Sequence, residues 1–135
     1  MRLFLTAYPP TLLAFLAVDA IWLSLMGPGF YKPLLGGMAL ERFSLAPAAV
    51  FYLLFGVGLV VFAVMPGVHS GRIGHAAAMG ALFGLIAYAT YDLTNMATLK
   101  GWPLSLTIVD MIWGTLASSL AAMIGMATTL FFAPR

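Results

Sequence analysis

Leu45-Ala46-Pro47-Ala48-Ala49-Val50-Phe51-Tyr52-Leu53-Leu54-Phe55-Gly56-Val57-Gly58-Leu59-Val60-Val61-Phe62-Ala63-Val64-Met65 contains no charged side chain. A helix needs about 20 apolar residues to cross the hydrocarbon of a bilayer, and this run supplies them. Pro47 near its start and Pro66-Gly67 at its end read as boundaries. Three other stretches match it in character: about Leu3 to Met26, about Ile73 to Thr98 closed by Gly101, and Pro103 to about Phe132. The last is longer than a span requires, so it tilts or projects from the bilayer.

Composition agrees. The chain is 63% hydrophobic and 7% charged, where a soluble domain carries roughly 25% charged residues. The expected fold is therefore all-α: one domain over residues 1–135, an integral membrane four-helix transmembrane bundle. A net charge of +2, dispersed along the chain, excludes a nucleic-acid partner. The absence of cysteine excludes disulfides, thiolate metal sites and cysteine nucleophiles. Arg2 before an apolar stretch, with Val18-x-Ala20 after it, loosely fits a signal peptide. Pro9-Pro10 interrupts that stretch, so the first segment is read as a retained helix; if its regular part starts at Pro10, it is near the lower length limit.

Alternating spans put the N-terminus, the Pro66–Arg72 connection and the C-terminus on one face. The Gly27–Ser44 connection and the Leu99–Trp102 turn lie on the other. Arg2, Arg72 and Arg135 against Lys32, Arg42 and Lys100 leave the positive-inside rule almost silent. The free amino group together with His69 and His75 tips the reading toward both termini in the cytoplasm.

Three of the four acidic residues fall inside spans. An Asp at the centre of a membrane helix costs about 2.5–3.5 kcal/mol on the mildest scales. Asp19 is seven residues before Met26, Asp92 six before Thr98, and Asp110 seven after Pro103 on a helix running the other way. At 1.5 Å per residue all three lie roughly 9–11 Å inside the second face. Tyr88, Asp92 and Asn95 share one helical face, continued by Gly80 and Gly84; Asp110, Gly114, Ser118, Ala121 and Gly125 form a stripe on the fourth span. Small residues let membrane helices approach closely, so these stripes and their aspartates point into the bundle. Carboxylates gathered in low dielectric cannot all ionise without compensating cations; Lys32 and Lys100 are on the same face.

The connection Gly27-Pro28-Gly29-Phe30-Tyr31-Lys32-Pro33-Leu34-Leu35-Gly36-Gly37 reads either as a lid or re-entrant segment over the carboxylates or as an interfacial connector. His69 and His75 read as interfacial residues, Ser118 and Ser119 as packing, and the methionines as apolar filler. Gly80-x-x-x-Gly84 serves either dimerisation or packing within one copy. Val18-Asp19-Ala20-Ile21-Trp22 and Val109-Asp110-Met111-Ile112-Trp113 share a pattern on antiparallel helices, as an inverted repeat would.

Tyr91-Asp92-Leu93-Thr94-Asn95 running on to Trp102-Pro103, Asp110-x-x-Trp113-Gly114, and Asp19-x-x-Trp22 followed by Tyr31-Lys32 resemble the bacterial predicted membrane proteins grouped as domain of unknown function 2177. The resemblance covers nearly the whole chain. It implies a compact four-helix membrane protein and brings no activity with it.

The expected function is binding or transport of a small ligand, cation or proton at a carboxylate-lined pocket near one face. Asp19, Trp22, Tyr31 and Lys32 would form it with Tyr88, Tyr91, Asp92, Asn95, Lys100, Asp110 and Trp113. No metal site is expected, although three carboxylates could hold Mg²⁺, and the sequence leaves any cofactor open. The partners are the bilayer, a small ligand or lipid, and a second copy of the chain. The alternatives are an enzyme using Asp92 and Asp110 as acid and base on a lipid or membrane-soluble substrate, and an accessory subunit of a larger membrane complex in which the aspartates are hydrogen-bonded clasps.

Overall fold

The computed structural model describes residues 1–132; Arg135, placed above with the first face, lies outside them. Four helical stretches are long and apolar enough to cross a membrane: Arg2–Met38, Leu45–Ser70, Ile73–Thr98 and Leu104–Phe132. The first helix starts at Arg2 and runs straight through Pro9 and Pro10 to Met26, so Pro10 does not open it.

Two connections expected to break are helical instead. After Met26 the chain continues through a widened turn, Gly27–Tyr31, into a short helix Lys32–Leu35 and a tight turn Gly36–Met38. In the second span the widened turn is Val60–Val64, and the helix carries on past Pro66 to Ser70. Each turn has hydrogen bonds reaching five residues back, from Lys32 N–H to Gly27 C=O and from Met65 N–H to Val60 C=O. Each comes just before a proline, Pro33 or Pro66. A proline inside a helix lacks a donor and collides with the carbonyl four residues back; an expanded turn removes both problems without exposing backbone to hydrocarbon. The helix finally stops at Gly71, whose φ of 64° is a left-handed cap.

Burial is inverted relative to a water-soluble bundle. The outer surface is crowded with large apolar side chains, among them Leu13, Ile21, Leu54, Phe62, Ile86 and Leu116. Small and polar residues are inside, including Thr11, Thr107, Ser118, Thr129, Ala117 and Ala121. With lipid as solvent, contact area and hydrogen bonds hold helices together rather than apolar burial. The hydroxyls of Thr11 and Thr129 donate back to Ala7 and Gly125 carbonyls at 2.7 and 2.6 Å, so they enter the interior satisfied.

The closest seam joins the third and fourth spans. A Cβ added to Gly80 would lie 2.7 Å from the Ser118 carbonyl oxygen and 2.8 Å from Ala122 Cβ. One added to Gly84 would run into the Gly114 carbonyl and the Ser118 side chain. Ser119 adds a hydrogen bond across the seam to the Ala77 carbonyl, at 3.0 Å. The Gly80-x-x-x-Gly84 motif thus packs two helices of one copy. Gly125 makes room for Thr11 of the first span, and Gly67 for Ala76 of the third. Between these contacts sit two apolar clusters, one around Val60, Val64 and Met126, the other around Phe15, Phe55 and Leu59.

Gly84→Leu is expected to lower stability in detergent by about 1–3 kcal/mol through overpacking. Gly74→Ala, where nothing lies within 4 Å of an added Cβ, should leave stability unchanged or raise it by up to about 1 kcal/mol. Thermal unfolding of the purified variants measures both.

Candidate functional site

Asp19 lies on the buried face of the first span and is only 5% exposed. Each of its oxygens has a donor. The indole N–H of Trp113, on the fourth span, reaches Oδ1 at 2.9 Å; the Tyr52 hydroxyl, on the second span, donates to Oδ2 in a short hydrogen bond. One carboxyl therefore ties three spans together.

Asp110 belongs to the fourth span and is half-buried. Its Oδ1 accepts from the Tyr31 hydroxyl at 2.7 Å, and that hydroxyl accepts from the Trp22 indole N–H at 3.0 Å. Trp22 in turn stacks on Trp113, with centroids 4.3 Å apart and planes 3° from parallel. The two Asp-x-x-Trp segments are consequently crossed. Each tryptophan serves the aspartate of the other segment, Trp113 directly and Trp22 through Tyr31.

Tyr31 reaches Asp110 because the helix continues, in widened form, through Gly27–Tyr31. The segment read as lid or connector continues the first span as helix to Met38 and meets the fourth span through Tyr31. Gly27, Gly29 and Gly37 have open space around them, so nothing packs against them closely.

Asp92 differs from its two companions. It is fully buried on the third span, and its oxygens accept from no N–H or hydroxyl among the described residues. It faces Asp110 at close range. Two ionised carboxylates are both acceptors and cannot bond each other; a hydrogen bond between them requires a proton on one. Apart from the Tyr31 hydroxyl on Asp110, the pair has neither a donor nor a positive charge among the described residues. Burying an unpaired carboxylate is costly.

Other residues singled out in the sequence are less engaged. Asn95 lies a turn beyond Asp92 and donates to neither of its oxygens. Tyr91 turns outward, 55% exposed, its ring edge-on to Trp102 at 5.7 Å. The Tyr88 ring lies against Gly114, where a Cβ would strike it. Lys32 is exposed beside a cavity that Asp110 also lines. Lys100 is exposed in the turn before Trp102, and that turn is fixed by the Trp102 indole donating to Thr107 Oγ1 at 2.9 Å. The donors that hold Asp19 and Asp110 are thus tyrosine and tryptophan, not lysine. A hydroxyl or indole loses less hydration than an ammonium on entering hydrocarbon, which favours it at this depth.

Tyr52 is the residue that sequence reading missed. Its signal was present: it is seven residues into the second span from Leu45, the same count that aligns the aspartates. Two cavities adjoin Asp110. One, of about 560 Å³, runs between the second and third spans past Phe51, Tyr88 and Thr94. The other, of about 680 Å³, is lined by Tyr31, Glu41 and Trp102 among others. Asp110 and Tyr91 border both. Among the described residues, no three histidine or acidic groups gather closely enough to hold a metal ion.

Tyr52→Phe leaves one Asp19 oxygen without its donor and is expected to destabilise the protein by about 1–3 kcal/mol. Tyr91→Phe, whose ring already faces outward, should stay within about 0.5 kcal/mol of the parent. Reversible unfolding in mixed micelles compares the two.

No curated protein and no solved structure matches the chain. The family model described as "Predicted membrane protein (DUF2177)" does match, over residues 4–127. That stretch takes in Asp19, Tyr52, Asp92, Asp110 and both tryptophans of the crossed pair, and the chain belongs to this family of predicted membrane proteins.

Proposed function

We propose that this multi-pass membrane protein binds a positively charged group, a proton or an organic ammonium, at the Asp92–Asp110 pair and carries it within or across the bilayer. The observation behind this reading is Asp92, a fully buried carboxyl whose oxygens have no donor, next to a second carboxyl at the edge of two cavities. An intramembrane acidic group without a protein partner marks an ion or ligand path by default. Asp19, with both oxygens satisfied, has the part of a clasp that keeps the spans in register. Tyr31 holds Asp110 and closes the site toward the second face.

In this reading residues 1–135 act as a single four-helix domain in a bacterial inner membrane, with both termini cytoplasmic and His69 and His75 on that side. Four helices enclose a thin pathway, so movement across the whole bilayer calls for a second copy of the chain.

Asp92→Asn discriminates a binding role from a structural one. Since Asn keeps the size of Asp92 and its amide can donate to Asp110, stability should stay within about 1.5 kcal/mol of the parent. Butylammonium chloride should raise the melting temperature of the parent more than sodium chloride at equal ionic strength, as any ligand selective for the folded state does. The increment should vanish in Asp92→Asn. Dicyclohexylcarbodiimide, which adds to protonated carboxyls in apolar surroundings, should modify Asp92 or Asp110 in the parent. No modification at either position, together with no butylammonium effect, would refute the proposal.

A further inference from the structure

We infer that the ligand is an amphiphile, an alkyl chain bearing an amine, and that it reaches Asp110 sideways from the bilayer through the cleft between the second and third spans. The inference rests on the binding role proposed for the Asp92–Asp110 pair and adds the ligand class and the route.

The route follows from how the spans diverge. Val60–Ser70 packs closely along the third span, whereas Leu45–Leu59 meets it chiefly through Phe55 and Gly58. The two helices open like a V toward the face where the carboxylates lie. Phe55 and Phe83, 5.1 Å apart, close the floor of the V, and Phe55 meets Tyr88 edge-on at 6.1 Å. Above that floor is the cavity of about 560 Å³, within the size range of small-ligand sites. Phe51, 43% exposed, and Tyr91, 55% exposed, stand on either side of its mouth. At roughly 10 Å inside the membrane face, what lies outside that mouth is lipid rather than water. Loose contact between helices at this depth exposes no backbone, so the cleft can stay open without unsatisfied main-chain groups.

The ligand class follows from the lining. Phe51, Ala87 and the tyrosine rings suit a hydrocarbon chain, and among the described residues the charged group bordering the cavity is Asp110. Behind it is Asp92 with two unfilled acceptors. Tyr88 and Tyr91 also line the space, and their ring faces attract a cation. A negative pair flanked by aromatic faces and entered through an apolar mouth selects a cationic head on an apolar tail. An anionic amphiphile of the same length would meet repulsion at its head; a short amine would find the head site but leave the cleft unfilled.

The experiment uses the full-length protein in neutral-lipid nanodiscs and a dodecylamine carrying a diazirine in its chain. Irradiation should label peptides containing Phe51 and Ala87–Thr94. Unlabelled dodecylamine should compete about tenfold better than dodecanol, than dodecanoate, and than butylamine, a ratio in keeping with one charge contact at the head and dispersion contact along the chain. Asp110→Asn should erase the advantage over dodecanol. Thr90→Trp and Thr94→Trp, both at exposed positions, should each erase the advantage over butylamine by filling the mouth. Equal competition by dodecanol or dodecanoate would overturn the amine head. Equal competition by butylamine, or labelling confined to other surfaces, would overturn the lateral route while the butylammonium effect on melting still upheld the carboxylate pair. Loss of that melting effect as well would remove the pair on which the inference rests.

Discussion

Asp19 accepts hydrogen bonds from Trp113 and Tyr52 and so joins the first, fourth and second spans at one depth. A carboxyl at that depth is unfavourable unless donors come with it, and here the donors come from two other helices. Taking away either one leaves a buried acceptor unmet, so the three helices hold each other to a common register. The stacked Trp22 and Trp113 extend the arrangement through Tyr31 to Asp110. Lipid cannot supply such donors, so the requirement specifies which helices neighbour one another as well as contributing to stability.

The third span completes the bundle by different means. Its seam with the fourth relies on glycines lying against backbone carbonyls and a serine, with little hydrogen bonding between side chains. Close backbone approach maximises dispersion contact where no hydrophobic drive exists. That seam brings Asp92 to Asp110 while giving Asp92 no donor of its own. One carboxyl is fully partnered, one is held by a single tyrosine, and one has none. This gradation separates the carboxyl that ties the spans together from the pair on which the proposed ligand role rests.

Much of this could be read in advance. Four apolar runs gave the helix count, and counting residues from their ends placed Asp19, Asp92 and Asp110 in one layer. The small-residue stripes pointed to the tight seam. The prolines misled in three places, because the usual reading of Pro as a boundary assumes that the freed backbone can turn to water. Near Pro33 and Pro66 the chain widens its turn and stays helical. Tyr52 was hidden by the apolarity of its span, although its position along that span matched the aspartates. The lysines drew attention as countercharges, yet tyrosine and tryptophan hold the two partnered carboxyls.

Sequence by itself determined that this chain belongs in a bilayer and how many times it can cross, and it gave the expectation that its costly groups share one level. Those properties depend on composition and on position along a helix, both of which are local. Tertiary structure decided which donor meets which carboxyl: that the tryptophans cross over, that Tyr31 reaches Asp110, and that Asp92 is left unpartnered. Those outcomes depend on the rotation and tilt of each helix against its neighbours. Rotation and tilt are set by contacts between residues far apart in the chain, such as Gly84 against Gly114 and Thr11 against Gly125, and no local pattern encodes them.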